Sequence, residues 1–401
     1  MLSRKIALES LCHPGVTKLI DITSMEWLIF SAAIFLTVSI LLHLVSILMA
    51  AGRFYKPTAE APVAPFSADV TIIRPVCGVE NFIEETLRST FRLDHSRYEI
   101  LFCVASGSDP AIALVQRLIA EHPHIPARLL VGNAAINANP KLNNMVKGWD
   151  AARGDWVVMA DSNVLMPPDY IQRLFHAWRA DTGLVCFPPV GCAPQGLWAE
   201  LECAILNTHQ ARWQCFADSA GFGYAQGKTM LWRRDFLAAA GGIRALASEV
   251  AEDAAATKLV RRAGLSVHLV ARPFEQPLGA RRAADVWRRQ IRWARLRRDT
   301  FPLLFAPEIF VGGLFPLLAL LFLAAAAGWP LAIALIAFSL VWYGAEAVLA
   351  CIAGWHLVMR SPAIWLARDL LLPAIWLSSL VGNSFEWRGN NMRVAASERM
   401  S

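Results

Sequence analysis

The sequence predicts an α/β domain with a mostly parallel sheet, held between membrane helices. Two observations indicate this architecture. Short β-favouring runs alternate with helical runs through residues 68–280, and long uncharged apolar runs lie on both sides of that region. Of the 401 residues, 56% are apolar and only 17% are charged, which is typical of a membrane protein.

The first apolar run, residues 27–51, has the length of a spanning helix, and its only titratable residue is His43. The run is too long, and begins too far from the amino terminus, for a typical cleaved signal peptide. It is therefore predicted to be a transmembrane helix.

The carboxyl-terminal region is predicted to contain two to three further membrane helices. The uncharged run 309–345 is too long for one span, and the Gly-Trp-Pro sequence at 328–330 predicts a turn between two helices. The next run, 362–381, has Arg368 and Asp369 in its middle. Such a pair favours a re-entrant or interfacial helix, or a span packed against protein, over a lipid-exposed span.

Basic residues are concentrated beside the apolar runs. Arg53 and Lys56 follow the first run, and a cluster of arginines precedes the second. The cluster consists of Arg281, Arg282, Arg288, Arg289, Arg292, Arg295, Arg297 and Arg298. Because basic residues favour the cytosolic side, residues 53–305 are predicted to lie in the cytosol of a multi-pass protein of the cell inner membrane. A few basic residues ahead of the first run argue weakly for the opposite orientation.

The 8 cysteines form no CxxC pair and have no His companion at metal spacing. This pattern favours reduced thiols in a cytosolic domain over a disulfide or zinc framework. The protein is predicted to contact the lipid bilayer, and no nucleic-acid partner is predicted.

Residues 68–280 have the rhythm of successive βαβ units. Predicted strands cover residues 70–73, 98–104, 127–131, 156–160, 183–187, 229–232 and 266–270. Predicted helices cover residues 80–89, 111–121, 141–152, 198–216 and 250–263. This alternation implies a mostly parallel sheet with helices on both faces, and right-handed crossovers bring the strand ends to one edge.

The strand predicted at 156–160 ends at Asp161, which is followed by Ser162 and Asn163. Ligands of open α/β sheets bind at the carboxyl ends of the strands. A carboxylate there suits a divalent cation that in turn holds a phosphate. The alternative is an Asx-turn that needs no ligand.

Other acids lie at predicted helix starts. Asp109 precedes a proline and fits a helix N-cap, and Glu252 and Asp253 favour the positive end of a helix dipole. A carboxylate that points into a cleft from a helix start is also a candidate general base. Glu200 and Glu202 are explained by a helix that faces solvent or lipid head groups.

Two basic segments suit an anionic ligand. The polar turn 137–144 contains four asparagines and Lys141 ahead of a helix, more than capping requires, which suits a phosphate or a hydroxyl-rich ligand. In the arginine segment, Trp287, Ile291 and Ala294 form a narrow apolar face. One interpretation is a basic amphipathic helix on anionic lipid head groups. The other is that the sequence at 289–293 offers forked donors to a diphosphate and an aromatic plane to a sugar or base.

The order of these motifs resembles that in glycosyltransferase family 21, the inverting ceramide glucosyltransferases. The chain is expected to be a bacterial-type member of this family. The motifs are RPVCGV at 74–79, YEILFCV at 98–104, SDPA at 108–111, NPKLNN at 139–144, DSN at 161–163, AED at 251–253 and RQIRW at 289–293. The resemblance runs from about residue 71 to 305. It implies a GT-A domain, which is a Rossmann-like, mostly parallel α/β fold, on a membrane protein.

The resemblance also implies roles for single residues. Asp109 is similar to the acid that helps hold uridine, Asp161 to the acid that meets a divalent metal (Mg²⁺ or Mn²⁺) on the diphosphate, and Asp253 to the base that deprotonates the acceptor. Lys141 is assigned to the nucleotide sugar as well. Asn163 stands where the wider GT-A class often has a second Asp.

Two further assignments follow from the resemblance. The residues of the (Q/R)xxRW signature, which line the donor and product diphosphate, are Arg289, Gln290, Arg292 and Trp293. His209 lies where family members tend to carry a His near the acceptor.

The resemblance implies transfer of a sugar, with glucose from UDP-glucose preferred, onto the hydroxyl of a membrane lipid, with ceramide preferred, giving a β-linked glycolipid. Diacylglycerol or a hopanoid are alternative acceptors, and a processive polysaccharide synthase and a non-catalytic nucleotide-sugar-binding or lipid-binding membrane protein are alternative functions. The predicted domains are an amino-terminal segment with a transmembrane helix at 1–52, a linker at 53–67, the GT-A domain at 68–280, an interfacial helix at 281–305, membrane helices at 306–384 and a polar tail at 385–401.

Overall fold

The structure is a computed structural model that describes the backbone of residues 14–55, 68–387 and 390–393, and side chains within 25–54 and 68–384. Most of the predicted linker and of the predicted polar tail lies outside the described residues.

Apolar helices lie on both sides of the α/β region. The first helix is α1 (Pro14–Tyr55), and the carboxyl-terminal ones are α12 (Leu314–Ala326), α13 (Leu331–Ala353) and α14 (Ser361–Leu380). Within the described residues, 3 segments are long and apolar enough to cross a membrane: Met25–Phe54, Leu331–Ala353 and Ser361–Leu380. A fourth is possible if Pro302–Phe310 and Leu314–Ala326, which meet at 42°, form one broken span. The prediction of one amino-terminal and two to three carboxyl-terminal helices is confirmed.

The domain between these helices alternates strands and helices, as predicted. Its strands are β1 (Val70–Val76), β2 (Tyr98–Val104), β3 (Ala127–Val131), β4 (Trp156–Ala160), β5 (Thr182–Cys186), β6 (Val190–Gln195), β7 (Thr229–Arg233), β8 (Ser266–Leu269) and β9 (Glu275–Ala280). Its helices are α2 (Ile83–Ser89), α3 (Ala111–Glu121), α4 (Pro140–Ala151), α5 (Tyr170–His176), α6 (Leu197–Ala204), α7 (Arg212–Ser219), α8 (Arg234–Ala239), α9 (Glu252–Arg262), α10 (Ala283–Thr300) and α11 (Pro302–Phe305). A hairpin of β10 (Ser384–Trp387) and β11 (Asn390–Arg393) follows α14.

Seven strands form one sheet in the order β3-β2-β1-β4-β7-β5-β8. Only β7 runs against its neighbours, β4 and β5, and the other pairs are parallel. The predicted mostly parallel sheet is therefore confirmed. A separate parallel pair, β6 with β9, was not predicted. Both of these strands contain Gly and Pro, which are depleted in strands, so their sequences carry little β signal.

The long helix predicted at 198–216 is observed as α6 and α7 joined by a π-helical segment, Ile205–Ala211. The π-helix is rare and often marks a functional site. Here the segment carries His209 toward the domain's cleft and brings Arg212 to α1, where its guanidinium donates to the hydroxyl of Ser46 over 2.7 Å.

The pair in the middle of α14 packs against protein, which confirms one of its predicted alternatives. Arg368 is 1% exposed and forms an ion pair with Glu346 of α13 over 2.9 Å. Asp369 is also 1% exposed and accepts from the hydroxyl of Tyr343. Because an unpaired charge is costly in hydrocarbon, this pairing allows α14 to lie in the membrane beside α13.

Candidate active site

A cleft of about 1310 Å³ opens where β1 and β4 end. Its lining includes a cluster of charged and polar side chains, termed the polar end, formed by Asp161, Asn163, Lys141, Lys228 and Asp253. Its apolar lining residues, termed the apolar end, include Trp213, Phe216, Phe222, Leu296, Phe301, Leu304 and Phe305. Phe305 also packs with Ile375 of α14, so one cleft combines a charged site at the strand ends with apolar side chains that reach a candidate membrane helix.

Asp161 is held between two lysine ammonium groups. Its Oδ1 lies 2.7 Å from Nζ of Lys141, and its Oδ2 lies 3.0 Å from Nζ of Lys228. Burial alone would raise the pKa of Asp161, but the two ammonium groups outweigh it and lower that pKa well below its usual range. Asp161 is therefore an anion at neutral pH.

Lys228 was not predicted as a site residue. It reaches Asp161 because β7 pairs antiparallel with β4, with Thr229 opposite Ala160. The residue before β7 thus lies beside the residue after β4, and the backbone N–H of Asp161 donates to the carbonyl of Lys228 over 3.0 Å. The sequence gives no local sign of this pairing.

Lys141 projects from the first turn of α4 into the same site. Besides Asp161, its ammonium contacts Glu252 over 2.7 Å and the carbonyl of Gly227 over 2.5 Å. The side chain of Asn139 accepts from the N–H groups of Lys141 and Leu142, so the helix start does not offer these two groups to a phosphate. The cation that this turn presents to the cleft is Lys141.

Asn143 and Asn144 of this turn form hydrogen bonds within the protein. Asn143 accepts from the N–H groups of Ile136 and Asn137, and Asn144 donates to the carbonyl of Cys103. These bonds, together with one from Lys147 to Asn144, give both side chains partners within the protein, and a phosphate or hydroxyl-rich ligand at this turn stays a prediction.

Asp253 lies at the start of α9 and faces the cleft. Its Oδ2 accepts from the N–H of Gly227 over 3.1 Å, and its Oδ1 accepts from the N–H of Ala254 over 2.9 Å. Burial, and then the charge of Glu252, raise the pKa of Asp253 to about 6. A carboxylate with this pKa is ionised at neutral pH and is a better proton acceptor than an ordinary Asp.

Helix α10 forms the opposite wall of the polar end. Arg289 forms an ion pair with Glu202 of α6, and Arg281 lies 3.3 Å from the same carboxylate. Glu202 is fully buried and Glu200 is 5% exposed. The interpretation of both as residues of a solvent-facing or head-group-facing helix is therefore wrong. Glu202 lies behind Arg289 because α6 packs under α10, a contact between distant segments.

The apolar face predicted on α10 packs against protein. Ala294 is 1% exposed, and Trp287 and Ile291 pack with Phe305 and with Ile375 of α14. The helix thus has a protein-facing side and a cleft-facing side. The observed packing accounts for the apolar stripe without contact to lipid.

The remaining residues of the signature differ in position. Arg292 and Trp293 line the cleft, whereas the side chain of Gln290 is 3% exposed and accepts from Gln210 over 3.1 Å. His209 lines the cleft from the π-helical segment. Burial, and then nearby arginine charges led by that of Arg368, lower the pKa of His209 well below its usual value, so the ring is neutral.

Asp109 does not line the cleft in the described part of the chain. Both oxygens of its carboxylate accept from the N–H of Gly78, over 3.0 and 3.1 Å, and Oδ1 also accepts from the N–H of Ala111. Asp109 thereby ties the loop after β1 to the start of α3. Its N-cap interpretation fits this geometry, and its contact with uridine stays a prediction.

The acids of the site fit a divalent metal only together with a phosphate ligand. Among the described side chains no group of three His, Cys, Asp or Glu could hold a metal ion. Asp161 and the amide oxygen of Asn163 face the cleft side by side, and both contact Lys228. Mg²⁺ and Mn²⁺ sites of this kind use one or two protein oxygens and take their other ligands from substrate phosphates and water. Asp161 and Asn163 would hold the ion, provided that Lys228 gives way.

The sheet order, with one antiparallel strand and an acid after β4, defines the domain as a GT-A glycosyltransferase fold. A mannosyltransferase from Pyrobaculum calidifontis, solved in complex with GDP-Man and Mn²⁺, shares this fold with a TM-score of 0.53 and 20% sequence identity. The likeness covers 89% of this chain and 99% of that chain.

The chain belongs to glycosyl transferase family 21, whose sequence profile matches residues 38–400. Ceramide glucosyltransferase 1 of Caenorhabditis elegans is 27% identical over 283 residues, which are 70% of this chain and 60% of that protein. Ceramide glucosyltransferase 3 of the same species is 25% identical over 365 residues, which are 88% of this chain and 78% of that protein. The chain is therefore a glycosyltransferase with helices long and apolar enough to span a membrane, and the expected family is confirmed.

Proposed function

We propose that the protein transfers glucose from UDP-glucose to the hydroxyl group of a membrane lipid, with ceramide as the first acceptor to test, and that it forms a β-linked glycolipid. The observation that carries this proposal is the position of Asp253. Its carboxylate faces the cleft that also contains Asp161, and Lys141 contacts both Asp161 and Glu252, the neighbour of Asp253. A base and a diphosphate site thus share one cleft.

In the proposed reaction Asp253 accepts the proton of the lipid hydroxyl. The hydroxyl oxygen forms a bond to the anomeric carbon while the bond from that carbon to the diphosphate oxygen breaks, and UDP leaves with the electron pair. Because attack comes from the face opposite UDP, the configuration at the anomeric carbon inverts. The raised pKa of Asp253 supports this role, since proton transfer is most efficient when the base titrates near the working pH.

Cationic side chains of the cleft support departure of UDP. Lys141, Lys228, Arg289 and Arg292 line the same cleft as Asp161, and in the proposed reaction they would stabilise the negative charge that develops on the diphosphate. Fixed cations in a site of low polarity stabilise such charge strongly. Glu202 keeps the guanidinium of Arg289 in place from behind.

The proposal includes a divalent metal at Asp161, which would add Lewis-acid stabilisation of the leaving diphosphate when bound. The side chains that would orient it are Asp161 and Asn163. The proposal also assigns Asp109 to the uridine of the donor, and Gln290 and Trp293 of the signature to the donor diphosphate. It assigns His209 to the acceptor side.

The apolar end of the cleft supports a lipid acceptor. Phe222 and Leu304 line the cleft and are 71% and 67% exposed. Exposed apolar side chains at the mouth of a cleft mark a surface for lipid or for an apolar ligand. With the domain on the cytosolic side of the inner membrane, a lipid head group would reach Asp253 from this end while its chains stay in the bilayer.

The test is a transfer assay with purified protein in lipid bilayers. Radiolabelled UDP-glucose, UDP-galactose, UDP-N-acetylglucosamine and UDP-glucuronic acid are offered one at a time with ceramide, diacylglycerol or a hopanoid, with and without Mn²⁺ or Mg²⁺. Label in ceramide from UDP-glucose, dependent on metal, supports the proposal. Label in another lipid would identify that lipid, and not ceramide, as the acceptor. Label in a polymer would support a polysaccharide synthase, and nucleotide binding without turnover would support a non-catalytic protein.

A further inference from the structure

Lys228 occupies the position on Asp161 where a metal cation would be expected. Its ammonium lies 3.0 Å from Oδ2 of Asp161 and 3.1 Å from the amide oxygen of Asn163. These are the two protein oxygens that would ligate a divalent ion. The side chain is 11% exposed, and it lines the cleft beside Arg289 and Lys141.

The ammonium group of Lys228 changes the net charge that a divalent cation meets at Asp161. Three acids, Asp161, Glu252 and Asp253, face two lysines, Lys141 and Lys228. The cluster therefore carries one net negative charge with Lys228 and two without it. A free divalent cation must displace an ammonium group to reach Asp161, and it meets a less negative site while that ammonium is present.

The backbone of Lys228 is fixed, whereas its side chain borders the cleft. Its carbonyl accepts from the N–H of Asp161, so the residue stays at the start of β7. The ammonium itself is on a four-carbon stem whose tip borders the cleft. A diphosphate beside Arg289 would offer the ammonium a more highly charged partner than one carboxylate.

We propose that Lys228 is an exchangeable cation that holds Asp161 in the empty enzyme and moves to the diphosphate when the donor binds. Metal then binds Asp161 only together with the nucleotide. This inference rests on the proposed function, because it requires a diphosphate donor at Asp161. It makes Lys228 a donor-binding residue as well as a positioning residue.

The proposal predicts effects of opposite sign on two ligands. Removal of the ammonium frees Asp161 for a cation and removes one contact to the diphosphate. A purely structural Lys228 would instead weaken the binding of both ligands, because its loss would disorder the site. The sign of the change in metal affinity therefore separates the two roles.

The experiment measures Mn²⁺ binding by electron paramagnetic resonance and UDP binding by calorimetry, on the full chain in lipid nanodiscs. In the absence of nucleotide, Lys228→Met binds Mn²⁺ at least about tenfold more tightly than the wild type, whereas without metal it binds UDP at least about tenfold more weakly. Lys228→Gln serves if the Met variant does not fold. Lys258→Met is the control, since Lys258 pairs with Glu249 and does not itself line the cleft, and it should change neither affinity.

Two results overturn the inference alone: Mn²⁺ affinity equal in Lys228→Met and wild type while UDP binding is intact, or a loss of affinity for both ligands. A wild-type protein that binds no UDP, with or without Mn²⁺, overturns the proposed function and this inference with it.

Discussion

The buried carboxylate of Glu202 holds the guanidinium of Arg289 at the wall of the cleft. Arg289 belongs to the motif at 289–293, which is predicted to line the donor diphosphate. Its position nevertheless depends on a residue 87 positions earlier in the chain. Because α6 and α10 meet only in the folded protein, the buried acid links the sheet domain to the arginine-rich helix.

Glu202→Gln should release Arg289 and weaken donor binding. The neutral amide cannot neutralise Arg289 and Arg281, so the two guanidinium groups repel each other and Arg289 loses its position. We expect kcat/KM for the donor to fall by about tenfold or more, as for a lost charge-assisted contact. The measurement is steady-state transfer at varied donor concentration.

The matched control is Glu200→Gln on the same helix. Glu200 pairs with Arg360, whose side chain is 65% exposed, and it does not line the cleft. This variant should leave donor kinetics unchanged. Equal losses in the two variants would contradict a specific role for Glu202.

Gly227→Ala should lower kcat because its methyl group would press against the side chains of the acid cluster. A Cβ at Gly227 would lie 2.8 Å from Oε1 of Glu252 and 3.2 Å from Nζ of Lys141. The acid cluster would have to shift, and Asp253 would lose its alignment. We expect a fall in kcat of about 10²-fold, the cost of a small misplacement of catalytic groups.

Gly52→Ala is the control for this substitution, because a Cβ there meets nothing within 4 Å. Its transfer rate should equal that of the wild type. A normal rate in Gly227→Ala would show that the contacts around Asp253 are not needed for the reaction.

Transfer should depend on pH through Asp253. The base acts as a carboxylate, and its pKa is raised to about 6, so activity should be full above that pH and fall as the pH decreases through it. With an ordinary Asp the fall would come about two pH units lower. The check is the pH profile of kcat/KM in the wild type, with Asp253→Asn showing a low rate and no such inflection.

Leu304→Gln should impair the use of a membrane acceptor without affecting the nucleotide. Leu304 lines the apolar end of the cleft, and a polar side chain there opposes the passage of a lipid chain. We expect a several-fold higher KM for the lipid and unchanged UDP binding. The adjacent Leu303→Gln is the control, because Leu303 is 89% exposed but does not line the cleft. Equal effects of both variants would contradict an acceptor path along this wall.

Local sequence patterns predict much of the sheet. The strand ending at Asp161 is a buried apolar run followed by turn formers, and its bounds are as predicted. The strands at 98–104 and 127–131 are likewise observed with their predicted bounds, although Glu99 and Arg128 interrupt their apolar runs. Asp161 lies in the cleft because it follows the carboxyl end of β4. The place of Asp253 does not follow from this rule, because β7, the strand that precedes α8 and α9, is antiparallel, and Asp253 lies in the cleft beside Gly227, ahead of β7.

The parts that could not be predicted depend on long-range contacts. Lys228 reaches Asp161 only through the antiparallel pairing of β4 with β7, and Glu202 is buried only because α6 lies under α10. Gln290 is buried against Gln210 and does not line the cleft, although it lies inside the signature. In each case an element distant in sequence determines the position of the side chain, so no local sequence pattern predicts that position.

The most direct test of the account is transfer of labelled glucose from UDP-glucose into ceramide in bilayers, measured for the wild type and for Asp253→Asn, with the anomeric configuration of the product determined by NMR. We expect a β-linked glucosyl lipid from the wild type and a rate lower by about 10²-fold or more in Asp253→Asn. An α-linked product, or an unchanged rate in Asp253→Asn, would contradict the proposed mechanism.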